Sequence, residues 1–183
     1  MKRKEFIKKA MGLGLGSGSM LLLGGTKAMS KSVAQKSGSE SKVKSQKFKE
    51  AWVTTLMKNL DGRFDEKTRA GLMEACGRDC ARRGSIKMAE SCEGNVGKLI
   101  KSLAKILGKE NCSIKDNVIH LGYDKCYCEL VADGPERLSD TYCNCSKGWV
   151  LEMFETAARK PVKVEVLQTI KRGATSCRFL VRV

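Results

Sequence analysis

Apolar residues recur at helical spacing in the first part of the chain. From about Phe48 they return every three or four residues, which predicts an amphipathic helix over Trp52, Val53, Leu56 and Leu60. Asp65 is a residue type that caps helices, and the pattern after it predicts a second helix that ends at Gly84. A third helix is predicted over residues 96–107.

Beyond residue 108 the apolar spacing changes from helical to alternating. Short strands are predicted within residues 112–121, with a turn at Lys115-Asp116-Asn117, and residues 126–131 are another candidate strand. A helix capped by Ser146 follows, and two alternating stretches on either side of Gly173 predict a C-terminal hairpin. The predicted fold is therefore α+β, with N-terminal helices followed by a mostly antiparallel sheet, one intervening helix and a C-terminal hairpin.

The first 28 residues have the composition of a signal peptide. A Lys/Arg-rich stretch at residues 2–9 precedes a Gly-rich apolar stretch at 11–25, and small residues near Ala28 suit a cleavage site. The apolar stretch is shorter than the roughly 20 residues that a spanning helix needs, so no stable transmembrane span is expected. Residues 3–8 resemble a twin-arginine export signal in which Lys4 takes the place of the second arginine. A general secretory signal is the alternative, and either route predicts a periplasmic or extracytoplasmic protein that meets the export machinery.

The basic charge is concentrated before the predicted folded domain. Residues 1–50 contain 12 Lys/Arg and 3 Asp/Glu, a net charge of +9, whereas residues 51–183 contain 23 and 17, a net charge of +6. This distribution argues against nucleic-acid binding as the main function. Residues 29–46 are rich in Ser, Lys and Gln and are predicted to be a flexible tether, which leaves residues 47–183 as a cysteine-rich domain.

Six of the nine cysteines stand in three close pairs. Cys76 and Cys80 are four residues apart on a predicted helix, so both sulfurs face one side. The other two pairs are Cys-x-Cys motifs, which bring the set to Cys76, Cys80, Cys126, Cys128, Cys143 and Cys145. Cys92, Cys112 and Cys177 stand singly, and the alternating strand around Cys177 suits a buried thiol.

Three interpretations of the paired cysteines remain open from the sequence. Cys126, Cys128, Cys143 and Cys145 could bind zinc or an iron–sulfur cluster, with Cys76 and Cys80 as two more ligands or as a redox couple. An exported protein could instead form disulfides between the two Cys-x-Cys segments. The thiols could also be inert and buried.

Catalytic chemistry has only weak candidates in the sequence. His120 is the only histidine, and a lone histidine within a predicted strand is more often structural. It could nevertheless pair with a cysteine nucleophile or complete a Cys₃His metal site. Apart from the glycines of the leader, no Gly-rich phosphate-binding loop is present.

The C-terminal third of the chain resembles known bacterial families. The two Cys-x-Cys motifs, the stretch Ser146-Lys147-Gly148-Trp149 and the closing residues 173–179 resemble the aminothiazoline-carboxylate hydrolase-like family and, more distantly, vinyl-reductase-type small-ligand domains. This resemblance covers roughly residues 120–183. It implies an α+β domain that binds a small molecule and holds zinc through cysteines such as those at 126, 128, 143 and 145.

The sequence thus predicts an exported domain that binds zinc or an iron–sulfur centre, with a small-molecule ligand as a further expectation. Two alternatives accompany it. One is a hydrolase of small amides or cyclic substrates with a cysteine nucleophile, and the other is a disulfide-stapled binding module without catalysis.

Overall fold

A computed structural model describes the backbone of residues 29–131, 134 and 137–183, and within these ranges the side chains from residue 42 onward. The chain divides into two units, residues 1–40 and Ser41–Val183, and the second unit contains the sheet, the buried core and all nine cysteines. The predicted signal peptide, residues 1–28, lies outside the described residues.

Helices occupy most of the N-terminal part. They are α1 (Met29–Arg63), α2 (Glu66–Gly84), α3 (Ile86–Glu90) and α4 (Val96–Leu107), followed by a 3₁₀ turn at Lys109–Asn111. Helix α1 includes residues 29–46, for which the sequence predicts a tether. That segment has few apolar residues, so the spacing of apolar residues cannot predict a helix there. The start of the domain at residue 47 stays a prediction.

Capping residues mark the starts of the next two long helices, and the cap at Asp65 is the one that the sequence predicts. The Asp65 carboxylate accepts a hydrogen bond of 2.9 Å from the backbone N–H of Thr68 and caps α2. Helix α4 is capped in the same way by Asn95 and is followed by Gly108, whose φ of 96° is one that residues with a Cβ rarely adopt.

Four strands in the described part of the chain form one antiparallel sheet. They are β1 (Cys112–Lys115), β2 (Val118–Tyr123), β3 (Lys163–Gln168) and β4 (Cys177–Arg182), in the order β1-β2-β4-β3. Helix α5 (Asn144–Ala158) connects β2 to β3 along the chain. Asp116 and Asn117, both with positive φ, make the predicted turn between β1 and β2. The predicted α+β class and the C-terminal hairpin are confirmed.

Two local predictions were wrong, and one short helix was missed. Residues 126–131 form an irregular segment and a turn instead of a strand. Helix α5 begins at Asn144 with Cys143 at its cap, so Ser146 lies inside the first turn. The short helix α3 was not predicted, since five residues are too few to show a helical period.

Two groups of buried residues stabilise the domain. The main core lies between α4, α5 and one face of the sheet, where Leu99, Phe154 and Phe179 are almost fully buried. A smaller core joins α1 and α2 to the segment between β2 and α5, through Val53, Met57, Met73, Val131, Leu138, Tyr142 and Cys143. Both Cys-x-Cys pairs lie at this smaller core, Cys143 within it and Cys126, Cys128 and Cys145 packed against it.

Candidate functional site

Two glycines let α2 and α5 approach each other where the cysteines lie. A Cβ at Gly77 of α2 would overlap the backbone carbonyl of Cys145, and a Cβ at Gly148 of α5 would overlap the carbonyl of Glu74. The two helices therefore touch backbone to backbone, which only glycine allows. Because Cys76 is the neighbour of Gly77, this crossing brings the α2 cysteine pair to the start of α5.

Cys145 lies at the centre of the thiols gathered by this crossing. Burial raises the pKa of its thiol to about 12, and the neighbouring sulfurs of Cys128, Cys80, Cys76 and Cys143 contribute to the rise. The structure thus brings thiols from α2, from the irregular segment and from the start of α5 into one neighbourhood.

Cys126 completes the set. Cys126, Cys128 and Cys145 are half-buried and pack against the smaller core, which contains the buried Cys143. Burial raises the pKa of Cys143, and the nearby sulfur of Cys126 adds to this effect. The electrostatic neighbours of Cys143 and Cys145 thus include the other sequence-predicted cysteines, and we call the six residues the thiol cluster: Cys76, Cys80, Cys126, Cys128, Cys143 and Cys145.

Hydrogen-bond donors surround several sulfurs of this region. The Tyr142 hydroxyl lies 3.0 Å from Cys128 Sγ and shares a hydrogen bond with it. The backbone N–H of Ile170 donates to Cys177 Sγ at 3.4 Å, and the backbone amide of Lys171 near Cys143 lowers the pKa of that thiol relative to burial alone. Such bonds favour a negatively charged sulfur over a neutral one.

The Thr169 hydroxyl is a further donor beside Cys143. Thr169 is fully buried, and its hydroxyl oxygen has no hydrogen-bond partner among the described residues. Its position near Cys143 holds the pKa of that thiol below the value that burial alone would give. A buried hydroxyl without a partner is costly, so this oxygen is free to bond to a group that enters the region.

The three single cysteines and the histidine lie outside the thiol cluster. Cys92, Cys112 and Cys177 belong to the main core, as the sequence predicts for buried thiols. Cys177 borders the cluster, because the sulfurs of Cys143 and Cys126 contribute to its pKa, which burial raises to about 11. His120 is exposed on the outer face of β2, whereas Leu121 points into the core. The structure therefore does not bring His120 to the cysteines.

His120 instead lines a shallow depression on the outer face of the sheet. The depression has a volume of about 320 Å³, and it is lined by the charged side chains of Glu110, Lys115 and Arg178. The guanidinium of Arg178 donates to Asp124 and Asn111, each at 2.9 Å, so its charge is already paired.

Charged side chains hold α2 against α5 beside the thiol cluster. Arg78 of α2 contacts Glu155 at 2.6 Å and Glu152 at 3.1 Å, and Arg82 contacts Glu152 at 2.7 Å. Lys147 of α5 pairs with Glu74 of α2 at 3.0 Å, so in this pair the cation is on α5 and the carboxylate is on α2. These pairs fix the helix crossing from which the cluster is built.

Each of the nine cysteines is a free thiol. Within residues 29–131, 134 and 137–183, no three Cys, His, Asp or Glu side chains stand at separations that would hold a metal ion. No helix in this described part is long and apolar enough to cross a membrane.

Comparison with sequence families gives a match over most of the chain. Residues 24–183 match the DUF6144 family, which is described as a family of unknown function. The chain belongs to the DUF6144 family. A search of curated proteins finds no match for this DUF6144 chain. The resemblance to hydrolase-like and small-ligand families over residues 120–183 therefore stays a prediction.

Sequence reasoning missed the residues that organise the cluster. Gly77 and Gly148 are interior helix glycines next to cysteine motifs, and this placement is a signal for a close helix contact. Tyr142 directly precedes Cys143 but bonds to Cys128, and no local pattern gives that pairing. Thr169 and Lys171 come from the distant hairpin turn.

Proposed function

We propose that this domain binds a metal centre, zinc or an iron–sulfur cluster, through the thiol cluster. Cys126, Cys128, Cys143 and Cys145 are the proposed ligands, with Cys76 and Cys80 as the second pair. The observation that carries the proposal is the convergence on Cys145 of thiols from three separate segments. Zinc and iron–sulfur centres both take cysteine sulfur as their ligand.

The donors around the sulfurs support the proposal. Hydrogen bonds from neighbouring groups orient metal ligands and stabilise their charge. The Tyr142 hydroxyl, 3.0 Å from Cys128 Sγ, is close enough for this role. Since the described thiols do not stand at metal-holding separations, binding must include movement of cysteine side chains.

The raised thiol pKa values favour a metal site over a cysteine nucleophile. A catalytic cysteine needs a depressed pKa so that its thiolate is present near neutral pH. Burial instead raises the pKa of Cys143, Cys145 and Cys177. A bound cation reverses this balance because it stabilises the thiolate directly.

Cobalt titration tests the proposal. Thiolate ligands give Co²⁺ an intense near-ultraviolet charge-transfer band, and tetrahedral geometry strengthens its visible bands. We expect the charge-transfer band and the strong visible bands to appear when Co²⁺ is added to the reduced full chain. We expect zinc to displace the cobalt. The Cys143→Ala/Cys145→Ala variant should lose the bands.

Cys92→Ala/Cys112→Ala is the matched control, because these two thiols are buried in the main core away from the cluster. It should keep the cobalt bands. Loss of the bands in the control alone, or equal bands in both variants, would contradict the ligand assignment.

A disulfide-stapled module is the second candidate function. Cys76 and Cys80 are exposed and neighbour Cys145, so an oxidant can reach them. Mass spectrometry after purification without reductant separates the two candidates. Eight paired cysteines and one free thiol would favour the stapled module, whereas free thiols with bound metal would favour the centre.

We also propose that the domain functions outside the cytoplasm. This proposal rests on the leader-like composition of residues 1–28, with Lys/Arg followed by the Gly-rich apolar stretch. Fractionation of cells that produce the full chain tests it, with Arg3→Gln as the variant that should reduce export by the twin-arginine route. Accumulation of the full chain in the cytoplasm would contradict it.

A further inference from the structure

Helix α1 carries an exposed apolar stripe in the described part of the second unit. Phe48, Trp52 and Leu56 are spaced four residues apart and therefore share one face. Phe48 is 70% exposed and Trp52 is 57% exposed, whereas Val53 and Met57 on the opposite face are buried. Leu130, itself about half exposed, lies beside the two aromatic rings and widens the patch.

Basic residues flank this stripe on both sides. At 3.6 residues per turn, Lys44, Lys47 and Lys58 fall on one side of it and Lys49 falls on the other, while Arg63 continues the stripe itself beyond Leu56. All of these side chains are exposed. Between residues 42 and 63 there are six basic and two acidic residues, a net charge of +4.

Both acidic residues of this stretch already have partners in the protein. Glu50 is buried and accepts a hydrogen bond of 2.9 Å from Gln46. Asp61 is exposed, but it accepts from the Thr141 hydroxyl at 3.1 Å and pairs with Arg69. The outward half of α1 therefore combines aromatic and aliphatic side chains with an excess of positive charge.

This combination matches the chemistry of an anionic lipid surface. Aromatic rings enter the boundary between headgroups and acyl chains, while flanking lysines bury their methylene stems and keep the ammonium group among lipid phosphates. Each lysine near such a surface adds favourable electrostatic energy. We propose that this face of α1, which we call the aromatic–basic face, docks the domain on anionic membranes. It comprises Lys44, Lys47, Phe48, Lys49, Trp52, Leu56, Lys58 and Arg63.

Vesicle sedimentation tests the proposal with the full chain. The probes are vesicles of phosphatidylglycerol and phosphatidylcholine in equal parts, and vesicles of phosphatidylcholine alone. We expect the anionic vesicles to bind more tightly, and we expect Phe48→Ser/Trp52→Ser to weaken that binding by about tenfold or more. Lys44→Gln/Lys47→Gln/Lys58→Gln should weaken it similarly and reduce its dependence on salt.

Matched controls remove the same types of side chain, apolar residues or lysines, from surfaces away from α1. Ile114→Ser/Leu167→Ser removes two exposed apolar side chains of the sheet, and Lys115→Gln/Lys160→Gln/Lys163→Gln removes three lysines away from α1. Both should bind as the unaltered chain does. Every variant contains residues 1–28, so the leader cannot produce a difference between them.

Fluorescence locates the contact directly. In the Trp149→Phe variant, Trp52 is the remaining tryptophan, and its emission should shift to shorter wavelength on addition of anionic vesicles. The proposal would be overturned if the variants of the aromatic–basic face bound vesicles as tightly as the control variants. It would also be overturned if the emission wavelength of Trp52 did not change. Tighter binding of duplex DNA or an acidic peptide, unaffected by Phe48→Ser/Trp52→Ser, would also overturn it. Cobalt binding should not change in any of these variants, so this result is independent of the thiol cluster.

Discussion

At the scale of single residues, the chemistry of the thiol cluster depends on what surrounds each sulfur. Burial raises the pKa of Cys145 to about 12, whereas hydrogen bonds to Cys143 act in the opposite direction. The raised pKa values of Cys143 and Cys145 keep these two thiols protonated in the metal-free domain at neutral pH, and a metal must displace their protons to bind. Metal affinity should accordingly rise with pH.

The Tyr142 hydroxyl gives a test that leaves every proposed ligand in place. Tyr142→Phe removes the partner of Cys128 Sγ but keeps the ring that packs in the smaller core. We expect metal affinity to fall by about tenfold or more, as for other groups that hydrogen-bond to metal ligands. The free energy of unfolding of the metal-free domain should change much less. Competition with a chromophoric chelator measures the affinity. An unchanged affinity would mean that Cys128 does not need this hydroxyl as a ligand.

Alkaline pH should destabilise the metal-free domain through Cys145. Its pKa is raised in the folded state from about 9.0 to about 12, so the thiol stays protonated after folding at pH values where the unfolded chain has ionised. The stability that depends on this thiol is thus complete below about pH 9 and decreases as pH rises towards 12. Urea unfolding with reductant and chelator measures it, and Cys145→Ala should show a weaker dependence on pH above 9.

At the scale of secondary-structure elements, the crossing of α2 and α5 decides whether the cluster forms. Gly77 and Gly148 allow the contact, and the Arg78, Arg82 and Lys147 ion pairs hold it. Two substitutions in α2 separate the effect of this contact from helix propensity.

Alanine at Gly77 and at Gly71 should have opposite effects. A Cβ at Gly77 meets the Cys145 carbonyl, so Gly77→Ala should destabilise the domain by about 1–3 kcal/mol and weaken metal binding. Nothing lies within 4 Å of a Cβ at Gly71, so Gly71→Ala should stabilise the helix by about 0.5–1 kcal/mol. Thermal unfolding of both variants measures the difference. Equal stability of the two would contradict the close crossing.

The ion pairs between these helices should weaken in acid. Burial by itself would raise the pKa of Glu152, but hydrogen bonds and charges from Arg82 and Arg78 outweigh it and hold the pKa below the usual value of 4.5. The stability from this carboxylate is therefore present above about pH 4.5 and is lost as pH falls through the lower folded value.

Glu152→Gln should cost about 1 kcal/mol at pH 7 and remove part of this acid dependence. Glu165→Gln, at an exposed pair with Arg182, is the control and should change stability far less. Urea unfolding at pH 7 and pH 4 measures both variants. A similar loss in the two would show that Glu152 has no special part in the crossing.

The elements differ in how well the sequence predicts them, for physical reasons. The apolar period predicts α4, and the Asp116–Asn117 turn marks the β1–β2 hairpin. Residues 126–131 alternate like a strand, yet their side chains pack on α1 and α2 instead of joining the sheet. The assignment of the six cysteines to one site stays a prediction, and the sequence could not reveal Tyr142 or Thr169 beside two of them, because those contacts depend on the tertiary fold.

At the scale of the whole molecule, two surfaces with different chemistry are placed on one domain. The thiol cluster lies beside the smaller core, and the aromatic–basic face lies on the outward half of α1, whose inward half contributes Val53 and Met57 to that same core. Helix α1 therefore connects the proposed membrane contact to the proposed metal centre. Neither the fold class nor membership of the DUF6144 family assigns a reaction, so the content of the thiol cluster is the central question.

Elemental analysis of the full chain, purified without oxygen, chelator or nickel resin, answers this question. We expect about one zinc per chain, or several irons with matching sulfide, and loss of that metal in Cys143→Ala/Cys145→Ala. A chain that contains no metal, and binds none when zinc or iron and sulfide are supplied, would show that the thiol cluster is not a metal centre.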